Sequence, residues 1–249
     1  MTIPAEWQLA AVVILIYLFD GLVLLHVNEA ILEHGRNRRI RFGSVQPWIA
    51  GRRLLVLSPL RPFATAWRFG WGVRDTLEPP AGTDDARAVL DARAGVIARL
   101  APFVGVVWVL VLLATPTALL AATIPAFVLV AACAWLSVWV LVARLASLRA
   151  ELGLSWGAFG LVALECVVCP PVAANLPRKL SMRLSPPVDL MAFVDDRDRA
   201  AVHARLAADI EARLVFLEPG SPAAARAEHY RNLLLAAAPF RPEPADELE

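Results

Sequence analysis

The chain has 249 residues, 58% of them apolar, with a mean hydropathy of +0.58, above the roughly 45–50% apolar content of an ordinary soluble domain. Its formal net charge of +1 hides segregation: residues 36 to 74 hold nine arginines and no acid, whereas 186 to 249 hold twelve acids against seven arginines. Three cysteines, Cys133, Cys166 and Cys169, are an odd number without a loop-rich framework, which excludes a small disulfide-stapled scaffold.

Nothing before Trp7 resembles the basic start of a cleavable signal, so the first apolar run is expected to be a retained span over about residues 8–27. Asp20 and Gly21 interrupt it. The helical pattern is predicted to continue past the membrane to Gly35, a fitting C-cap. From Trp7 to His34 is 28 residues, about 42 Å of helix, so its C-terminal end should protrude into water. His26, Glu29 and Glu33 would share one face of that helix, a weak candidate metal set that finds no matching second set on another helix. The metal expectation is therefore none.

Next comes the arginine-rich loop, residues 36–74, with Arg36, Arg38, Arg39, Arg41, Arg52, Arg53, Arg61, Arg68 and Arg74 interleaved with Trp48, Trp67 and Trp71. Pro47, Pro59 and Pro62 break any long helix, so the loop is read as short helical pieces lying in the membrane interface. Arginines in that place suit lipid phosphate, each near an anionic surface contributing about 1 kcal/mol. Being tied to membrane segments on both sides, they do not offer the free basic face that nucleic acid needs.

From Leu100 to Ala143 there are forty-four residues without Asp, Glu, Lys, Arg, His, Asn or Gln. A crossing takes roughly 20 apolar residues, so this block predicts two spans, at about 96–116 and 124–143, joined by a tight turn. A fourth apolar segment, about 155–172, contains Glu165 and breaks at Pro170-Pro171, with Arg178, Lys179 and Arg183 following at once. Positive-inside bias places the arginine loop in the cytoplasm and the N-terminus outside. The fourth segment then either spans, against that bias, or is re-entrant, and the re-entrant reading is favoured.

Residues 186–249 form a soluble tail after a membrane domain of 1–185. Val202, Leu206, Ile210, Leu214 and Leu217 make an amphipathic stripe, predicting a helix over 196–217. Ser221-Pro222 starts a second helix, 222–238, that would fold back as a hairpin before an acidic, Pro-rich end read as disordered. No alternation of strand type is read anywhere. The expected class is an all-α integral membrane protein with three spans and a fourth broken segment, in a bacterial cytoplasmic membrane.

Candidate chemistry rests on four residues. An intramembrane carboxylate costs several kcal/mol unless paired, so Asp20 and Glu165 are expected either to meet in a buried polar cluster, with Arg99 or Arg144 near, or to be neutralised locally. Cys166-Val-Val-Cys169-Pro170 has the spacing of a redox-active thiol pair. On the last of four apolar segments, it resembles the quinone-coupled thiol oxidases of the vitamin K epoxide reductase type. That resemblance implies a second, outer-loop cysteine pair, for which this chain has only Cys133 within a predicted span.

The primary expectation is a non-enzymatic accessory or scaffolding subunit. It would engage anionic lipid and a protein partner, or a second copy of itself, at the cytoplasmic face, with no cofactor. The alternatives are a thiol oxidoreductase at Cys166 and Cys169, or an enzyme or carrier for an anionic or lipid-linked substrate working through Asp20 and Glu165.

Overall fold

A computed structural model of the chain describes residues 4–26, 29–34, 39–41, 48–49, 52–70, 83–121, 124–186, 193–194 and 196–237. The fold is mostly helical, with two small sheets. Ten α-helical segments and six short strands are present among the described residues.

Helix α1, Ala5–Asp20, has 16 residues, about 24 Å, and stops at Gly21. The chain then leaves as strand β1, Leu22–Leu25, followed by β2, Glu29–His34. The expected continuous helix to His34 is thus overturned. Leu-Val-Leu-Leu suits either period, and the strand is chosen by a partner some thirty residues away, β5 at Arg52–Val56, against which Leu22 faces Val56. A spacing of four, as from Glu29 to Glu33, returns to the same face in a strand as well as in a helix.

Among its described residues the arginine loop holds strands rather than short helices: β3 is Arg39–Arg41, β4 Trp48–Ile49, β5 as above and β6 Thr65–Gly70. Two antiparallel three-stranded sheets result, ordered β1-β5-β4 and β3-β2-β6. The second sheet presents Ala30, Leu32, Trp67 and Phe69 to the main core, while Ile31 and Ala66 join Val23, Leu25 and Leu55 of the first sheet, with Leu57 just after β5, in a separate small core.

Helix α2, Thr83–Ala98, leads through a tight turn into α3, Ala101–Val109. A π-helical turn at Leu110–Ala114 and α4, Thr115–Leu120, complete a 20-residue apolar rod. Pro116 explains the widened turn, since it offers no amide to the ladder. The hydroxyls of Thr115 and Thr117 donate to the carbonyls of Leu110 and Leu113 at 2.8 Å each, satisfying backbone the irregular turn leaves over. Helix α5, Ile124–Leu148, is the second such rod. These two helices are long and apolar enough to cross a membrane.

Helix α6, Trp156–Val168, gives way at Cys169-Pro170 to the single turn α7, Pro170–Ala173, and then to α8, Leu176–Arg183. The tail holds α9, Asp196–Leu214, and α10, Pro222–Ala237, packed together across a turn in which Gly220 takes φ +78°. One core runs through all of this: Trp67 and Phe69 from the sheet, Leu206, Ile210 and Leu234 from the tail, and Val104, Val138 and Leu145 from the apolar rods.

Candidate functional site

The carboxylates singled out in the sequence lie at the ends of two helices. Asp20 is the last residue of α1, and Glu165 is in the last turn of α6. A helix C-terminus already carries partial negative charge from unpaired carbonyls, so an acid there is doubly disfavoured. The lysine at position 179, unique in the chain, answers both: its Nζ lies 2.7 Å from Asp20 Oδ1 and 3.5 Å from Glu165 Oε2. Arg183, one helical turn on in α8, holds the other Glu165 oxygen at 2.6 Å. The four side chains balance formally at zero charge, and all but Arg183 are mostly shielded from solvent.

The cation is therefore not the expected Arg99 or Arg144. Arg99 pairs with Glu151 at the surface, and Arg144 donates to Ser147 Oγ at 3.3 Å. Asp20 Oδ2 is buried without a hydrogen-bond partner, so this carboxylate keeps one spare acceptor facing the interior.

Beside this knot stands Arg178, only 3% exposed and in no ion pair among the described residues. It donates to Asn175 Oδ1 at 3.0 Å and to the carbonyls of Ser58 and Arg61, while Asn175 Nδ2 donates to the Tyr17 carbonyl at 3.1 Å. The guanidinium stays charged. Arg178 thus pins the loop between β5 and β6 against α1. In the sequence it counted only as a topogenic charge, because its partners are backbone carbonyls more than a hundred residues upstream.

Cys166 is 2% exposed, Cys169 is half-buried at the N-cap of α7, and Cys133 lies exposed on α5. All three are free thiols. A working thiol pair needs at least one accessible sulfur with its thiolate favoured, and Cys166 sits enclosed next to Glu165.

His26, Glu29 and Glu33 do not converge on a metal position. The Glu29 carboxylate accepts from the His26 amide at 2.7 Å and pairs with Arg68 at 2.5 Å, and Glu33 pairs with Arg41 at 2.8 Å. Both are diagonal cross-strand pairs flanking Ile31. Among the described residues no three His, Cys, Asp or Glu side chains cluster as a metal set. Arg41 and Arg68 are thus bound within the fold, whereas Arg61 is exposed and its side chain has no partner among the described residues. Arg36, Arg38 and Arg74 lie outside the described residues; of Arg39, Arg52 and Arg53 the backbone is described, in strands.

Comparison with known protein families, with characterised proteins and with solved structures found no match. The chemistry of the site has to be read from its own geometry.

Proposed function

We propose that the protein is a non-catalytic membrane subunit that holds a folded head at the cytoplasmic face of a bacterial inner membrane, where it engages anionic lipid and a protein partner. The observation that carries this reading is the main core. It joins the sheet and tail helices to the two apolar rods, so the head is built onto the membrane part without a flexible linker between their cores.

Membrane insertion is supported by where the apolar surface lies. Val128, Leu129, Trp135, Leu136 and Trp139 of α5 are exposed, as are Val106, Val109 and Leu113 on the first rod and most of α1. A monomer in water rarely carries so large an apolar face, whereas acyl chains would solvate it. An N-terminus outside follows from the arginines concentrated between α1 and α3.

The re-entrant reading of residues 156–183 draws support from both ends of the segment. At one end Glu151, just before α6, pairs with Arg99, and Arg149 lies 4.2 Å from the Trp156 ring. At the other end Arg93 donates to the Leu184 carbonyl at 2.5 Å. Arg93 and Arg99 belong to the same stretch of chain at the end of α2, so the segment leaves and returns near one level. The helix break at Cys169 leads into α7, which is covered by α1, α3 and α5, as interrupted backbone at membrane depth must be.

A partner-docking point on the head is suggested by Val215 and Phe216, 80% and 67% exposed in the turn after α9. Purification in mild detergent should recover the same companion protein repeatedly with the native chain, and lose it with Val215→Glu, Phe216→Glu. Repeated recovery of the native protein alone, with an unaltered lipid complement, would sink the proposal. The carrier reading keeps one specific support, the spare buried oxygen of Asp20, which could accept a proton or a substrate hydroxyl.

A further inference from the structure

The loop between β5 and β6, residues 57–64, leans on the first two turns of α3 and leaves an apolar groove of about 610 Å³ along that helix. Its walls are Leu60, Pro62 and Phe63 on one side and Val106, Trp108 and Val109 on the other. Gly105 makes part of its floor, because a Cβ there would stand 3.4 Å from the Phe63 ring. The size falls within the roughly 300–1,000 Å³ of small-molecule sites.

Both walls are held by buried polar anchors. Arg178 takes the Ser58 and Arg61 carbonyls, Tyr17 Oη donates to the Pro59 carbonyl at 2.6 Å, and Trp108 Nε1 donates to Tyr17 Oη at 3.2 Å. A groove fixed this way loses little freedom when filled. At 81% and 50% exposed, Leu60 and Phe63 reach outward beside a helix apolar enough to cross the membrane, so what surrounds them there is lipid.

Arg61 stands in the chain between two of the wall residues. The other arginines of this region whose side chains are described, Arg41 and Arg68, are each paired with a glutamate, while Arg61 has no partner among the described residues. An exposed arginine next in the chain to two residues of an apolar groove's wall, with no partner among the described residues, matches a molecule with a phosphate at one end and a hydrocarbon chain at the other. We propose that this groove seats one anionic phospholipid, an acyl chain lying between Phe63 and α3 and the head group on Arg61. The inference rests on the membrane reading above and adds a defined lipid position to it.

The test uses the full chain reconstituted into nanodiscs of equal parts phosphatidylcholine and phosphatidylglycerol, then transferred to mild detergent and weighed by native mass spectrometry. Phosphatidylglycerol should be retained over phosphatidylcholine about fivefold, the size of one guanidinium contact with an anionic head group. Arg61→Gln, on an exposed loop position, should level that preference while lipid is still retained. Val106→Trp, at a position 52% exposed on the lipid-facing side of α3, should fill the groove and remove retention of both lipids. Retention of the two lipids in their bulk ratio by the native chain would overturn the seat, as would native-like retention by Val106→Trp. A native chain that inserts into discs and retains no lipid overturns the seat alone, whereas one that stays soluble without discs or detergent overturns the membrane reading itself.

Discussion

At the scale of single residues, Lys179 resolves a problem created by two helix ends. Asp20 and Glu165 each add a full negative charge where a helix already presents unpaired carbonyls, and the Lys179 ammonium between them, with Arg183 on the other Glu165 oxygen, offsets both. Removing only the lysine leaves Asp20 without its cation and Glu165 held by Arg183 alone. A fully buried pair broken in that way loses about 3–5 kcal/mol, and the partial exposure of Glu165 argues for about 2–3 kcal/mol here. Lys179→Met should therefore lower the thermal midpoint in detergent clearly, and adding Asp20→Asn should restore most of it. If the double variant is no more stable than the single one, the cluster is not the coupled unit described. The carboxylate pair was legible as a problem in the sequence. Its solution was not, because a lysine well over a hundred residues from Asp20 enters only through folding.

At the scale of elements, the contact of α8 with β6 shows how helix and strand periods can match. Strand β6 pairs with β2 along one edge, and its other edge meets α8. The Ala66 amide donates to Ser181 Oγ at 2.8 Å and the Arg68 amide to Ser185 Oγ at 2.7 Å. Two residues of strand advance about 6.6 Å, close to one helical turn of about 5.4 Å, so Ser181 in α8 and Ser185 just past its end meet successive free amides of the edge. This covers an edge that would otherwise invite another strand. Ser181→Ala strands a buried amide and should cost about 1–3 kcal/mol, with faster hydrogen exchange at Ala66 than at the β2-paired amide of Trp67. Equal exchange at the two positions, unchanged by the substitution, would show that the serine does not close the edge. The strands themselves escaped the sequence reading because each is six residues or fewer. Their apolar runs carry no period that separates strand from buried helix.

For the whole molecule, the decisive geometry is the path of residues 156–183 against the two apolar rods. In a background with Cys133, Cys166 and Cys169 replaced by serine, single cysteines at Ser155 and Ser185 should react with an impermeant maleimide from the same side of the membrane. A cysteine at Ala121, after α4, should react from the opposite side. Labelling of Ser155→Cys and Ser185→Cys from opposite sides would establish a full crossing instead. The same cysteine-free background should keep partner capture, since the enclosed Cys166 is not needed to hold a head; loss of capture would favour the thiol reading.

Composition and hydropathy by themselves determined that this chain holds two helices able to cross a membrane. Their forty-four residues without strongly polar side chains need no partner to be recognised, because that signal is local and additive. The same holds for the tail helices, whose caps and stripe are written within a few turns. Tertiary structure alone decided that α1 ends at Asp20, that the described parts of the arginine-rich stretch supply strands to two small sheets, and that Glu29 and Glu33 pair with Arg68 and Arg41. Each depends on pairing between segments eight to more than a hundred residues apart. A strand edge or a buried charge is satisfied by whatever folding brings beside it, and no window of sequence contains that neighbour.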